Sequence, residues 1–204
     1  MNAKMIGTTM VSFVAGMPEG DKQDVMDCLL YAELMANSLG GERDFSWISR
    51  YQYSLMTVGF VQTSHVVNRP LRILVAEQID AYSVEIRGDE TTQSLAQQLA
   101  QLLEALNIKR QVVEYLELGV AESRLSTFHC VPCEKTRQGK VAIVVCGMVL
   151  TCAPSAANEN DRVIELNAKG GGLVFDSAAY AEKREEVQRT VRTFALGMIK
   201  DIEI

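Results

Sequence analysis

Histidine and tryptophan are scarce in this chain. His65 and His129 are the only histidines among 204 residues, and Trp47 is the only tryptophan. A nucleophile–histidine–acid triad would have to use one of those two imidazoles, and no spacing in the sequence supports such a triad at either position. The residues therefore favour a non-enzymatic protein.

Positive charge is also in short supply. Lys and Arg total 20 against 26 Asp and Glu, which leaves a formal net charge of -6. Nucleic-acid-binding surfaces usually carry an excess of positive charge, because they must attract the phosphate backbone. We expect no nucleic-acid partner.

No apolar segment is long enough to cross a membrane as a helix. The apolar run at residues 141–153 is shorter than the roughly 20 residues that a spanning helix needs, and its valines favour a buried strand. The apolar stretch at residues 10–16 is short and lacks the pattern of a classical signal peptide. We therefore expect a soluble, cytoplasmic protein, with non-classical export left open.

Five cysteines are present, and two of them lie in the stretch Phe-His-Cys-Val-Pro-Cys at residues 128–133. A thioredoxin-type pair would open a helix, where the helix dipole lowers the thiol pKa. Here a polar turn and an apolar strand follow Cys133, which is typical of a β-hairpin. A structural zinc site needs four ligands, but Cys146 and Cys152 lie too far apart along one strand to share an ion. We favour buried structural thiols and expect no metal or cofactor.

The hairpin turn also predicts a register. If the chain folds back symmetrically around Gln138, Cys130 lies opposite Cys146 and Pro132 lies opposite Val144. Directly opposed Cα atoms in antiparallel strands are about 4.5 to 5.5 Å apart, which is within disulfide reach. Cys130 and Cys146 are therefore a candidate thiol pair, free in a reducing compartment. Pro132 suggests an edge strand or a bulge.

Periodicity places helices and strands along the chain. An α+β fold follows, with a mostly antiparallel sheet from the C-terminal half and, on one face of it, N-terminal helices and a C-terminal helix. We expect one domain over residues 1–204. Glycines 170–172 lack the context of a phosphate-binding loop and predict a β-turn. The predicted helices are residues 21–38, 45–58, 71–81, 91–106, 110–121 and 177–200, and the predicted strands are residues 60–67, 125–133, 141–153, 163–166 and 173–175.

Aromatic residues are dense on the second predicted helix. Trp47, Tyr51 and Tyr53 form a candidate interaction surface, although aromatics in this density often anchor a core instead. A pocket near Cys133 and His129, serving a small ligand or an enzymatic reaction, is the alternative.

Three segments resemble a known group of proteins. They are GDKQDVMDCLLYAELMANS at residues 20–38, FSWISRYQYSLMTVGFV at residues 45–61 and IKDIEI at residues 199–204. Together they resemble the small non-pore-forming companion proteins of bacterial motility-associated killing factor toxin clusters, which are MakC- and MakD-like. The resemblance implies a virulence-associated accessory protein that binds other proteins, with co-encoded α-pore-forming toxin subunits as expected partners. It assigns no functional residues, and the oligomeric state stays open, with a homo-oligomer among the alternatives.

Overall fold

The computed structural model describes residues 2–40, 44–88, 93–117, 126–154, 162–194 and 199–203. Its helices are α1 (Glu19–Ser38), α2 (Phe45–Thr57), a 3₁₀ helix (Ala76–Ala81), α3 (Gln93–Ala105), α4 (Ile108–Glu117) and α5 (Ser177–Phe194). Its strands are β1 (Asn2–Ile6), β2 (Thr9–Phe13), β3 (Phe60–Gln62), β4 (Ser64–Val67), β5 (Leu71–Ile73), β6 (Glu85–Gly88), β7 (Ser126–Lys135), β8 (Val141–Pro154), β9 (Arg162–Phe175) and β10 (Ile199–Glu203).

One large sheet organises the described residues. Its strand order is β10-β1-β2-β7-β8-β9-β3, and β5 also pairs with β9. The β2–β7 pair is parallel, whereas the other pairs of this sheet are antiparallel. Strands β4 and β6 form a separate antiparallel ribbon. The predicted α+β fold with a mostly antiparallel sheet is confirmed, and β1, β2 and β3 extend that sheet beyond the C-terminal half.

Helices cover both faces of the sheet. Alternate side chains of a strand point to opposite faces, so Ile143 and Val145 pack beneath α1, α2 and α5, while Val144 and Cys146 pack beneath α3 and α4. The sequence pattern predicted helices on one face. An amphipathic stripe such as that of α3 shows which side of a helix is buried, but it does not show which face of a sheet receives it.

Two segments differ in type from the sequence prediction. Residues 71–81, predicted as a helix, form β5 followed by the 3₁₀ helix, and the predicted C-terminal helix ends at Phe194, after which residues 199–203 form β10. β10 pairs with β1, so its conformation depends on residues at the other end of the described chain. The predicted helical residues 91–92, 118–121 and 195–198 and the predicted strand residue 125 lie outside the described residues.

The glycine run at residues 170–172 is part of β9, so the predicted β-turn is wrong. A β-carbon on Gly171 would collide with the backbone oxygen of Ser64, and one on Gly172 would collide with the Ser64 hydroxyl. Gly172 in turn accepts a 2.9 Å hydrogen bond from the Thr63 amide and donates one of 2.8 Å to Ser64 Oγ. Glycine is required here because the chain at residues 63–64 crosses directly against β9.

Pro132 lies in an interior strand. β7 has β2 on one side, where Pro132 pairs with Ser12, and β8 on the other. The predicted edge position is therefore wrong, whereas the β7–β8 pairing is interrupted at Val131 and Pro132 and resumes at Cys133 in the same register. The parallel β2 contact that covers this side of β7 comes from residues far away in the sequence, which no local pattern reveals.

Gly171→Ala tests the close approach of Ser64 to β9. The added methyl group meets backbone atoms that cannot rotate away, so we expect the free energy of unfolding to fall by about 1–3 kcal/mol. Gly20→Ala is the matched control, because Gly20 lies in the first turn of α1 with open space around it, and alanine favours helix by up to roughly 1 kcal/mol. Urea denaturation of both variants measures the difference, and equal stability would refute the steric argument.

Candidate functional site

The two cysteines of the CVPC stretch lie on opposite faces of the sheet. Cys133 packs in the core beneath α1, α2 and α5, whereas Cys130 packs in the core beneath α3 and α4. The two residues are an odd number of positions apart in one strand, so alternation separates their side chains. Neither a dithiol redox pair nor a shared metal ion is compatible with this geometry.

Burial suppresses the acidity of the central thiols. It raises the pKa of Cys130 and Cys133 well above the usual range, with the nearby Cys146 contributing to the rise at Cys130. Burial raises the pKa of Cys146 itself to about 12. Because the thiolate is the nucleophile and the metal ligand, these side chains are not poised for chemistry at neutral pH.

Cys130 and Cys146 are direct partners in the β7–β8 ladder. This is the register that symmetry around Gln138 predicts, and Cys133 faces Ile143 in the same register. Both partner cysteines are buried and free in the structure. Their function as a thiol pair stays a prediction.

His129 is packed in the core against Trp47. Their rings stack with centroids 4.3 Å apart and an interplanar angle of 12°. The partner of His129 on β8 is Gly147, where a β-carbon would collide with Ile48 and approach the imidazole. α2 covers the imidazole through Trp47 and Ile48, and the predicted pocket near Cys133 and His129 stays a prediction. His65 is exposed on β4.

The three aromatic residues of the candidate interaction surface do not share one surface, because two are buried and one is exposed. Trp47 and Tyr51 are each only 1% exposed and stack at 5.1 Å, whereas Tyr53 is 66% exposed. Trp47 donates its indole N–H to Asn37 Oδ1 at 2.8 Å. Trp47 and Tyr51 are four positions apart and share a helix face, whereas Tyr53 follows Tyr51 by two positions and lies on a different face. Trp47 and Tyr51 are therefore core anchors. The prediction of an interaction surface is wrong for those two and stays open for Tyr53.

Tyr53 lies close to other exposed apolar residues along the chain. Met56 follows it by three positions on α2 and therefore shares its face, and Val61 is exposed on β3. β3 stands at the end of the sheet, where it pairs with β9. We call the surface formed by Tyr53, Met56 and Val61 the α2–β3 edge.

A cavity of about 530 Å³ lies between the 3₁₀ helix, α3 and α4. No sequence pattern predicts this cavity, because its lining comes from several separate segments and includes no recognised motif. The one local signal was the pair of alanines four positions apart on α3, Ala96 and Ala100. The lining residues are Ile79, Asp80, Tyr82, Ser83, Val84, Ala96, Leu99, Ala100, Leu103, Glu104, Asn107, Ile108 and Lys109.

An unusual backbone conformation shapes one end of this cavity. Asn107 has a φ of 51°, in the left-handed region that asparagine tolerates better than most residues. Its amide donates to the Glu104 carbonyl at 3.0 Å, and its carbonyl accepts from the Arg110 amide at 3.1 Å. Asn107 thus ends α3 and starts α4 within one tight turn.

The described residues carry neither a metal-binding cluster nor a membrane-spanning helix. No group of three or more His, Cys, Asp or Glu side chains among them is arranged to hold a metal ion. None of the described helices combines the length and apolar character that a bilayer crossing requires.

Native thiol reactivity tests the burial of the sulfurs. We expect Cys130, Cys133 and Cys146 to react with a thiol-specific reagent at neutral pH only as fast as the protein unfolds, because they are buried and protonated. Mass spectrometry of the labelled peptides identifies the sites, and denatured protein, in which all five cysteines should react at once, is the control. Rapid native labelling at any of the three would contradict this description.

Oxidative refolding tests the thiol pair. We expect a disulfide between Cys130 and Cys146, whose Cα atoms face each other, rather than between Cys130 and Cys133, whose side chains point to opposite faces. Peptide mapping under non-reducing conditions distinguishes the two bonds, and Cys146→Ser should remove the expected one. Recovery of a Cys130–Cys133 bond from native-like protein would be the contrary result.

Comparisons with known proteins assign no family. No known protein family matches the chain, and no curated protein sequence does. The solved structure of the Evf virulence factor is similar with a TM-score of 0.38 and 12% identity, over 92% of this chain and 76% of that one. No function is transferred at this level of similarity. The resemblance to MakC- and MakD-like companions stays a sequence-based prediction.

Proposed function

We propose that this chain is a non-enzymatic accessory protein that acts by binding another protein through the α2–β3 edge. The observation that carries the proposal is the exposure of Tyr53, Met56 and Val61, which lie on α2 and on the strand that follows it. Tyrosine combines a large apolar ring with a polar hydroxyl and is enriched in protein interfaces. The edge is therefore suited to burying apolar area against a partner.

The position of β3 at the end of the sheet also favours the α2–β3 edge as the binding surface. Among the described residues β3 pairs only with β9, so its outer side presents backbone donors and acceptors. An exposed strand edge can be extended by a strand from another chain. Met56 and Tyr53 on α2 would then contact the side chains of that added strand.

The packing of the sulfurs and of His129 also favours binding over catalysis. The five cysteines and His129 are buried, and of the two histidines His65 alone is exposed. The finer part of the proposal is that the partners are co-encoded α-pore-forming toxin subunits. That part rests on the resemblance of residues 20–38, 45–61 and 199–204.

The combined variant Tyr53→Ala and Met56→Ala tests the edge. We expect binding to the purified products of neighbouring genes to weaken at least tenfold, since truncating central aromatic contacts commonly costs 2 kcal/mol or more, as a rough guide. Leu74→Ala is the matched control, because Leu74 is also an exposed apolar residue but follows β5, which pairs with the other end of β9. Biolayer interferometry measures the affinities.

Two results would count against the proposal. If the double variant binds as tightly as the native chain, the α2–β3 edge is not the binding surface. If none of the neighbouring gene products binds the native chain, the accessory function itself is wrong. Circular dichroism of each variant establishes that a loss of binding is not a loss of folding.

A further inference from the structure

The cavity between the 3₁₀ helix, α3 and α4 has the size of a small-molecule site. Its volume of about 530 Å³ falls within the range of roughly 300–1,000 Å³ that such sites occupy. It lies on the face of the sheet opposite to α1, α2 and α5. It is therefore separate from Tyr53 and Met56 on α2 and independent of the proposed protein-binding function.

The floor of the cavity is apolar. Leu99 and Ile108 are buried, and Ile79, Val84 and Leu103 are partly buried around them. Removing an apolar group from water and placing it on such a floor is favourable in proportion to the area covered. The floor therefore selects a ligand with an apolar body.

One wall of the cavity is open because of its small side chains. Ala96 and Ala100 lie four positions apart on α3 and so occupy one helix face, and both line the cavity. Leucines at these positions, like those at Leu99 and Leu103, would occupy part of the space. The open wall gives the cavity its access to solvent, since both alanines are exposed.

The rim of the cavity is negatively charged. Two carboxylates, Asp80 and Glu104, line it with one lysine, Lys109. Lys109 Nζ lies 2.7 Å from Asp80 Oδ2, so the lysine is already engaged. No ion pair joins Glu104 to a cation within the described part of the chain, and its carboxylate therefore remains available to a ligand.

An aromatic ring adds to the preference for a cation. Tyr82 lines the same cavity and is partly buried. The face of a tyrosine ring attracts ammonium groups electrostatically. An anionic ligand would instead meet the unpaired carboxylate of Glu104 in a cavity of net negative charge.

We propose that this cavity binds a small organic cation, with its apolar body on the Leu99–Ile108 floor and its ammonium group at Glu104. The apolar floor supplies most of the binding energy, and the charge supplies the selectivity. Three compounds that share a phenylbutyl body make suitable probes. Phenylbutylamine is cationic, phenylbutanol is neutral and phenylbutyrate is anionic at neutral pH.

Affinities of the three probes for the native chain test the charge selectivity. We expect phenylbutylamine to bind most tightly and phenylbutyrate least tightly, by isothermal titration calorimetry at low salt. Glu104→Gln should weaken amine binding by up to about fivefold, the range of an exposed ion pair, and leave phenylbutanol unchanged. Glu117→Gln is the matched control, because it removes the same charge from an exposed position on α4 outside the lining.

Filling the cavity tests its location. Ala100→Leu and, separately, Ala96→Leu place a larger side chain on the open wall at exposed helical positions, where leucine is nearly as good a helix former as alanine, so we expect each variant to fold and to lose all three probes. Amide chemical-shift changes on titration should centre on residues 79–84 and 96–109. The proposal is overturned if the native chain binds none of the probes, if amine and alcohol bind equally, if Glu117→Gln matches Glu104→Gln, or if the shift changes lie elsewhere.

Discussion

The pairing of β8 with β9 is the interaction on which the rest of the fold depends. The two strands are in register along their whole lengths, from Val141 with Phe175 to Pro154 with Arg162. Side chains of β8 enter both cores, with Val145 on one face and Val144 on the other. β7 joins through β8, while β3 and β5 join through β9. Loss of this pair would therefore separate both helical layers from their common support.

This central position explains why the sulfurs are structural. A strand with helices on both faces has no exposed side, so every cysteine in β7 and β8 becomes a small packing residue whichever way it points. Burial then raises the pKa of the thiols and makes them poorer nucleophiles. The CVPC stretch has the composition of a redox motif, but its strand conformation divides the two sulfurs between separate cores.

Local features were predictable from the sequence and distant contacts were not. The β7–β8 register followed from a polar turn centred on Gln138, because a hairpin is specified by residues that are close in the chain. The glycine run of β9 was misread since its reason is Ser64, 108 positions away from Gly172. Sequence spacing could not predict the burial of Trp47 against His129 or the cavity either, because both form between residues that are far apart in the chain. The sequence located the aromatic residues Trp47, Tyr51 and Tyr53 on one helix. It did not show that Tyr53 is the one of the three that faces solvent.

The parallel pairing of β2 with β7 has a consequence for the order in which this protein acquires its structure. Thr9 and His129 are neighbours in the sheet, although more than a hundred residues separate them. On the ribosome, the β1–β2 hairpin emerges before β7, so the edge of β2 that pairs with β7 can be covered only after β7 has been made. Contacts of such long sequence separation slow folding and prolong the exposure of aggregation-prone strands. The β1–β2 hairpin thus carries an unpaired strand edge during the interval between its own synthesis and that of β7.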